Sequence, residues 1–316
     1  MRPDASPTGL HYTLCEPEHQ PATATLLLLH GMAEHHQRYR TFAQYLTTQG
    51  FAVLAYDQLG HGHTAHTNAE RGFFQLDAPV ERLVQDAENM AAYLAGLFPT
   101  VPHFVLGHSM GSFVVRCLLQ RDGSRFQGAV LMGTAAALPG ANLARVLLSG
   151  LNRLLPRHRT KVVNDFVGWL NNRAFPEPAP HASLKWLSAN QQNQLAYWRD
   201  PLCGVPFTNN GFYTLLCLLQ QATAREWTHG IPPTLPLLLV SGEDDPVGQF
   251  GHGVRRVAQQ LAHAGFAQVQ LVLYPGLRHE ILQEASKQQV YQDVAAWLTA
   301  RVVPMPPTPE AVGDYA

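Results

Sequence analysis

The chain has 316 residues, 46% of them hydrophobic and 14% charged, with 22 Lys and Arg against 23 Asp and Glu for a formal net charge of −1. That is enough apolar material for one substantial core, and near-neutrality argues against the basic face a nucleic-acid partner would need. No apolar run reaches the ~18 residues of a membrane span, no basic start leads into an apolar leader, and Cys15, Cys117, Cys203 and Cys217 show no Cys-x-x-Cys spacing, so the expectation is a cytoplasmic protein with free thiols.

In chain order, Gly9 to Cys15 reads as an antiparallel edge strand. Thr25 to Leu29 is a buried-strand run that breaks into His30-Gly31-Met32, where a glycine lets the backbone turn its amides toward an incoming carbonyl. Ala52 to Tyr56 is a further strand, ending at Asp57. A helix from Val80 to Phe98 is marked by one apolar face through Leu83, Val84, Ala87, Met90, Ala91 and Leu94. His103 to Leu106 is a strand that runs into Gly107-His108-Ser109-Met110-Gly111, followed by Val114, Val115, Leu118 and Leu119 at helical spacing. Gly128 to Met132 is another strand. Residues 136–232 carry no motif, but hold the apolar segments Val146 to Leu155, Val163 to Leu170 and Phe212 to Leu219. Leu235 to Val240 is a strand that leads into Ser241-Gly242-Glu243-Asp244-Asp245-Pro246-Val247, and Val269 to Tyr274 leads into Pro275-Gly276-Leu277-Arg278-His279-Glu280. A last helix carries Val290, Val294, Trp297 and Leu298, and the proline-rich stretch from Pro304 cannot continue it. Strand-length runs alternating with helical patterns indicate a mostly parallel sheet with helices on both faces.

Chemistry concentrates at the strand ends. A serine between two glycines at a strand-to-helix turn is held with its hydroxyl above the sheet, which makes Ser109 a candidate nucleophile, with Gly107 and Gly111 permitting the close approach and His108 packing the turn. The amides of Met32 and Met110 are candidates for an oxyanion hole, with His30 and Gly31 shaping the first turn. One of the contiguous acids Glu243, Asp244 and Asp245 is placed to orient a histidine, and His279 stands where a base is needed. Asp57 reads as a hydrogen-bond partner of the following glycine turn. His61, His63 and His66, with His30, His35 and His36 nearby in sequence, lie in glycine-rich turns without a companion cysteine or the His-Glu-x-x-His spacing, so no metal is expected there.

His30 to His35 with Arg38-Tyr39, Asp57 to Gly62, Gly107 to Ser112, and the pair Gly242 to Val247 and Tyr274 to Glu280 together resemble the α/β-hydrolases of the monoacylglycerol lipase and lysophospholipase group, the serine aminopeptidase-like hydrolases. Gln58-Leu59 departs from the pattern, since relatives often carry an arginine before Gly60. The resemblance implies an α/β-hydrolase fold with a core of residues 1–135 and 233–303, a helical cap at 136–232 and a disordered tail at 304–316. It also implies Asp245, directly before Pro246-Val247, as the acid of a Ser109–His279–Asp245 triad. The implied activity is hydrolysis of acyl esters, lysophospholipid or monoacylglycerol, without metal or organic cofactor. A peptidase, amidase or acyltransferase on the same scaffold and a non-catalytic binding member of the fold are the alternatives. The cap holds nine Lys and Arg against four Asp and Glu. Its cluster Arg153, Arg157, Arg159 and Lys161 reads either as a solvated helix face or as a guide for phosphate headgroups in peripheral membrane contact.

Overall fold

The computed structural model describes residues 8–176 and 182–302; the tail expected to be disordered, 304–316, lies outside them. Seven strands, β1 (Tyr12–Cys15), β2 (Ala24–Leu29), β3 (Phe51–Tyr56), β4 (His103–His108), β5 (Gly128–Met132), β6 (Leu237–Gly242) and β7 (Val269–Tyr274), form one sheet in the order β1-β3-β2-β4-β5-β6-β7. Only β1 runs antiparallel, paired with β3; the other strands are parallel. The central strands are buried on both faces, which is why they read as unbroken apolar runs in the sequence. Their side chains alternate between two cores. Leu27, Leu29, Val105, Leu131 and Leu239 pack with α2 (Pro79–Leu97), α3 (Met110–Asp122) and α8 (His252–His263). Leu26, Leu28, Leu106, Val130 and Val240 pack with α1 (Arg40–Thr48) and α9 (Lys287–Thr299).

Some boundaries differ from the sequence reading. β1 starts at Tyr12 because Gly9 adopts a positive φ of 73° ahead of it. β6 starts at Leu237, past Pro236, which has no N–H for a ladder, and continues through Ser241 and Gly242, which pair with Leu273 and Tyr274. Phe98 caps α2 and does not extend it.

Between β5 and β6 the chain inserts α4 (Ala141–Leu154), α5 (Lys161–Asn172), α6 (Gln191–Arg199) and α7 (Asn209–Ala222). From β2 the chain moves outward to β3 and then returns past β2 to β4, so the strand order reverses between β2 and β4. In an open parallel sheet the crevice at the carboxyl ends of such a pair is where a ligand fits, because the two following loops diverge there. The loops that diverge are His30-Gly31-Met32 and the Ser109 turn.

The Ser109 turn is tightly constrained. A Cβ on Gly107 would lie 2.3 Å from Gly111 O, and one on Gly111 would lie 2.4 Å from Leu29 O. Backbone atoms in a buried sheet cannot retreat from such a contact. Gly111→Ala is therefore expected to destabilise the protein by about 1–3 kcal/mol or more, as overpacking against an immovable neighbour does. Gly96, inside α2 with nothing within 4 Å of its added Cβ, should respond in the opposite direction: Gly96→Ala should stabilise by about 0.5–1 kcal/mol through helix propensity. Urea midpoints of the two variants check the pair.

Candidate active site

Ser109 sits between β4 and α3 with φ 53° and ψ −119°, a conformation that costs a non-glycine residue about 1–3 kcal/mol and persists only where surroundings impose it. Those surroundings are Ser109 N–H donating to Met132 O at 2.9 Å, and Ser112 donating to Ser109 O through its backbone at 2.9 Å and its hydroxyl at 2.6 Å. Ser109 and His279 line one pocket of about 130 Å³. Its walls are largely apolar, with Phe113, Leu138, Leu215, Leu216, Leu219 and Val247 among them.

His279, 2% exposed, places Nδ1 2.9 Å from Asp245 Oδ2. With the carboxylate as acceptor, the imidazole proton is on Nδ1 and Nε2 carries the free lone pair. Asp245 is wholly buried and fixed by two further donors, Ser241 Oγ–H to Oδ2 at 3.0 Å and Val247 N–H to Oδ1 at 2.9 Å. Asp244 is exposed. Ser241, the side chain that aims Asp245, drew no attention in the sequence because it reads as a polar strand end.

The two amides singled out for an oxyanion hole belong to pocket-lining residues, Met32 and Met110. Met110 opens α3, so its N–H lacks an intrahelical acceptor. Among the described residues neither Met32 N–H nor Met110 N–H has a backbone acceptor. His30 is buried behind this loop, its Nδ1 on Gly31 O at 2.7 Å and its Nε2 accepting from Gln58 N–H at 3.0 Å. Gln58 also donates to His30 O at 2.6 Å and so braces the His30 turn.

Along one side of the pocket lies a buried ionic cluster that the sequence reading missed. Glu34 Oε1 accepts from Gly31 N–H at 2.6 Å, from the Tyr39 hydroxyl at 2.7 Å and from His108 Nδ1 at 3.0 Å, while Oε2 accepts from Arg38 at 3.0 Å. Arg38 also grips both oxygens of Glu280, the residue after His279, and donates to Asn193 Oδ1 at 2.9 Å. Asn193 returns a bond to Glu280 Oε2 at 2.6 Å. From the insertion, Tyr197 OH donates to Ala33 O at 2.8 Å, and Leu187 O accepts from Glu280 N–H at 2.7 Å. The only trace in the sequence is the i,i+4 spacing of Glu34 and Arg38; nothing local links them to Glu280 or Asn193.

Burial alone would raise the Glu34 carboxyl, but the hydrogen bond and charge of His108, with the charge of Arg38, hold it well below the usual carboxylate range. Burial opposes charge on His108, but the bond to Glu34 together with the charges of Glu34 and Glu280 outweighs it, so the His108 pKa is raised. His108 Nε2 then donates to His279 O at 3.2 Å. Among the described residues two groups of side chains could hold a metal, His11–His36–Asp57 and His35–Asp200–Cys203; neither contributes a residue to the Ser109 pocket.

The family model described as serine aminopeptidase, S33, matches residues 20–286. A monoacylglycerol lipase of Mycolicibacterium smegmatis is 27% identical over 295 residues, covering 92% of this chain and 93% of the relative. The monoglyceride lipase of Mus musculus is 26% identical, covering 88% of this chain and 83% of its own. Among solved structures, a thermostable carboxyl esterase from Bacillus coagulans superposes with a TM-score of 0.85 at 25% identity, over 94% of this chain and 97% of the other.

The ionic cluster generates a pH-dependent prediction. A depressed Glu34 contributes stability that is present above the unfolded carboxyl value of about 4.3 and lost as pH falls through its lower folded value. A raised His108 contributes stability that is complete below the unfolded value of about 6.5 and lost as pH rises through its higher folded value. Glu34→Gln should cost about 3–5 kcal/mol by leaving buried charges unpaired. It should also remove the part of the alkaline loss of stability that belongs to His108, as urea titrations from acid to alkaline pH would show. An unchanged alkaline slope would dissociate His108 from Glu34.

Proposed function

The chain belongs to the serine aminopeptidase S33 family of α/β-hydrolases, and from that premise we propose that it hydrolyses carboxylic esters of acyl lipids, monoacylglycerol or lysophospholipid, through an acyl-enzyme on Ser109. Ser109 Oγ attacks the ester carbonyl while His279 Nε2 takes its proton, Asp245 fixes the imidazole tautomer and stabilises the imidazolium, and Met32 N–H and Met110 N–H receive the developing oxyanion. His279 gives the proton to the leaving alcohol. Water then repeats the cycle on the acyl-enzyme, and the acid leaves. His30, Gly31, Gly107, His108 and Gly111 support the two turns, and the cycle uses no metal or organic cofactor.

The observation that carries this reading is the Asp245–His279 contact at 2.9 Å beside a mainly apolar pocket that Ser109 also lines. An aminopeptidase would need a carboxylate free to hold the substrate ammonium. The two acids along this pocket, Glu34 and Glu280, are both engaged by Arg38, which favours an uncharged acyl chain. A fluorophosphonate probe should label the protein once and fail on Ser109→Ala, which should lose roughly 10³-fold or more of ester hydrolysis while still folding. Asp245→Asn should cost about 10³ to 10⁴ in turnover and Asp244→Asn far less. Labelling that survives in Ser109→Ala, or amine release from aminoacyl amides exceeding ester hydrolysis, would overturn the reading.

We read residues 136–232 as a lid through which acyl lipid reaches Ser109 from a membrane surface, in a protein of the cytoplasm. No helix among the described residues is long and apolar enough to cross a membrane. Yet α4 and α5 present Leu143, Leu147, Leu154, Val162, Phe166 and Trp169 to solvent, each more than half exposed. Three of the four basic side chains are engaged by neighbours: Arg157 stacks on Phe73, Arg159 donates to Arg71 O at 3.0 Å, and Lys161 forms a solvent-exposed pair with Asp165. Apolar contact therefore carries the docking, with charge secondary. Leu154→Glu and Val162→Glu should each slow hydrolysis of long-chain ester in vesicles by about tenfold or more, the equivalent of about 1.5–3 kcal/mol of lost burial, and leave a soluble short-chain ester untouched. Equal loss on both substrates would place these side chains in the fold and not at a lipid surface.

A further inference from the structure

Besides its carboxylate partner, the imidazole of His279 has two aromatic neighbours, one from the core and one from the insertion. From the core, the ring of His108 at the end of β4 stands 4.7 Å away, centroid to centroid. From the insertion, the ring of Trp186 stands 5.1 Å away, with the two planes 34° apart. Trp186 and His279 both line the Ser109 pocket. In the sequence Trp186 is one more aromatic residue in a segment without a motif.

The backbone aims the indole. Lys185 O accepts from Arg278 Nη1 at 2.8 Å, Trp186 O from His279 N–H at 3.4 Å, and Leu187 O from Glu280 N–H at 2.7 Å. Consecutive carbonyls of the insertion thus answer consecutive residues of the loop after β7, and the strip 185–187 lies along the residues that carry His279. Trp186 N–H donates to Asn172 Oδ1 at 3.1 Å, which ties the strip to α5 as well.

The charges around His279 show what an indole face does there that an aliphatic side chain would not. Taking the Ser109 proton puts a positive charge on the imidazole. Asp245 meets that charge through Nδ1. His108 opposes it: bonded to Glu34, it is held toward its own charged form, and two imidazolium rings at 4.7 Å repel. The other charged groups nearby have partners of their own. Glu34 and Glu280 hold Arg38, the Arg278 guanidinium lies 4.1 Å from the Phe175 ring centroid, and the Lys185 amine donates to Phe175 O. Of the two rings beside the imidazole, Trp186, with the negative face of its π system, is the one that favours the cation.

Resting on the hydrolase reading, in which His279 is the base, we propose that Trp186 is a positioning residue for it: the indole face holds the imidazole against Asp245 and offsets the repulsion of His108 when the proton arrives. At that step the proton passes from Ser109 Oγ to His279 Nε2, the Oγ–acyl bond forms, and the carbonyl electron pair moves onto the oxygen that Met32 N–H and Met110 N–H receive. The insertion then acts on the base itself as well as on lipid access.

The test compares Trp186→Phe, which keeps a π face, with Trp186→Leu, which keeps apolar bulk without one. One readout is kcat and KM on a water-soluble short-chain ester from acid to alkaline pH. The other is the pH titration of the low-field Nδ1 proton of His279 by NMR, which needs no turnover. In Trp186→Leu, kcat should fall about threefold to thirtyfold with KM within about twofold of the parent. The acid limb of the rate profile and the NMR midpoint should both move toward acid by about half a pH unit or more, because the imidazolium forms less readily without the cation–π contact. Trp186→Phe should recover most of both. Midpoints unmoved in Trp186→Leu, a loss confined to KM, or Trp186→Phe as impaired as Trp186→Leu would each overturn the proposal and leave Trp186 a pocket wall. A parent chain that takes no fluorophosphonate on Ser109 would overturn the hydrolase reading instead, and the NMR midpoints would still decide what Trp186 does to His279.

Discussion

The guanidinium of Arg38 lies between two buried carboxylates, Glu34 on the loop after β2 and Glu280 on the loop after β7, and the other polar atoms of the site are arranged around that pair. Taking three charges out of water costs several kcal/mol per ion even after relaxation, so such a cluster persists only where nearly every lone pair and N–H has a partner. Here the partners are Gly31 N–H, the Tyr39 hydroxyl, His108 and Asn193. Each belongs to a different part of the site: the loop beside Met32, the short turn His36–Tyr39 that leads into α1, the residue before Ser109, and α6 of the insertion. Satisfying the Glu34–Arg38–Glu280 cluster therefore ties these loops to one another, beside the direct bonds of His108 to His279 O and of Tyr197 to Ala33 O.

Ser109 depends on that agreement. Its backbone is strained, and the strain is held by the sheet through Met132 O and by the absence of side chains at Gly107 and Gly111. Gly31 is squeezed in the same way, with an added Cβ falling 3.0 Å from Ser109 Cβ and 2.8 Å from Glu34 Oε1. The reversal of strand order between β2 and β4 opens the crevice. The glycines let its two walls close to within a side chain's width, and the Glu34 carboxylate holds Gly31 N–H at 2.6 Å, fixing the loop that carries Met32 to the pocket wall.

The sheet was largely legible in the sequence, since parallel strands buried on both faces must be apolar throughout, and the six runs from Thr25 to Tyr274 lie within two residues of the observed strands at each end. The order of Ser109, Asp245 and His279 was legible for the related reason that each follows a strand. The residues alone left the choice among the contiguous acids open, and only the resemblance pointed to Asp245, because neighbouring acids differ in direction, and direction is decided by Ser241 Oγ and Val247 N–H in three dimensions. Arg38 and Glu280 are 242 residues apart. His11 meets Asp57 only through the register of an antiparallel pair. Spacing rules see ligands on one helix or turn, and polar clusters assembled by sheet topology leave no periodic trace.

The core and the insertion also differ in what holds them. Nearly every side chain of β2 to β6 is buried, whereas α5 has no buried residue and α4 only Leu148. Elements with few buried apolar contacts open at a lower free-energy cost than the global fold. Leu187 and α6 are tied to the core by the Glu280–Leu187 bond, Asn193 and Tyr197, so motion of α4 and α5 need not disturb the loops that hold Ser109 and His279. On the proposed reading, meeting a lipid and cleaving it are then separable. Apolar surface on α4 and α5 leaves water when lipid arrives, while the geometry of attack is set beneath it by charges that never leave their partners.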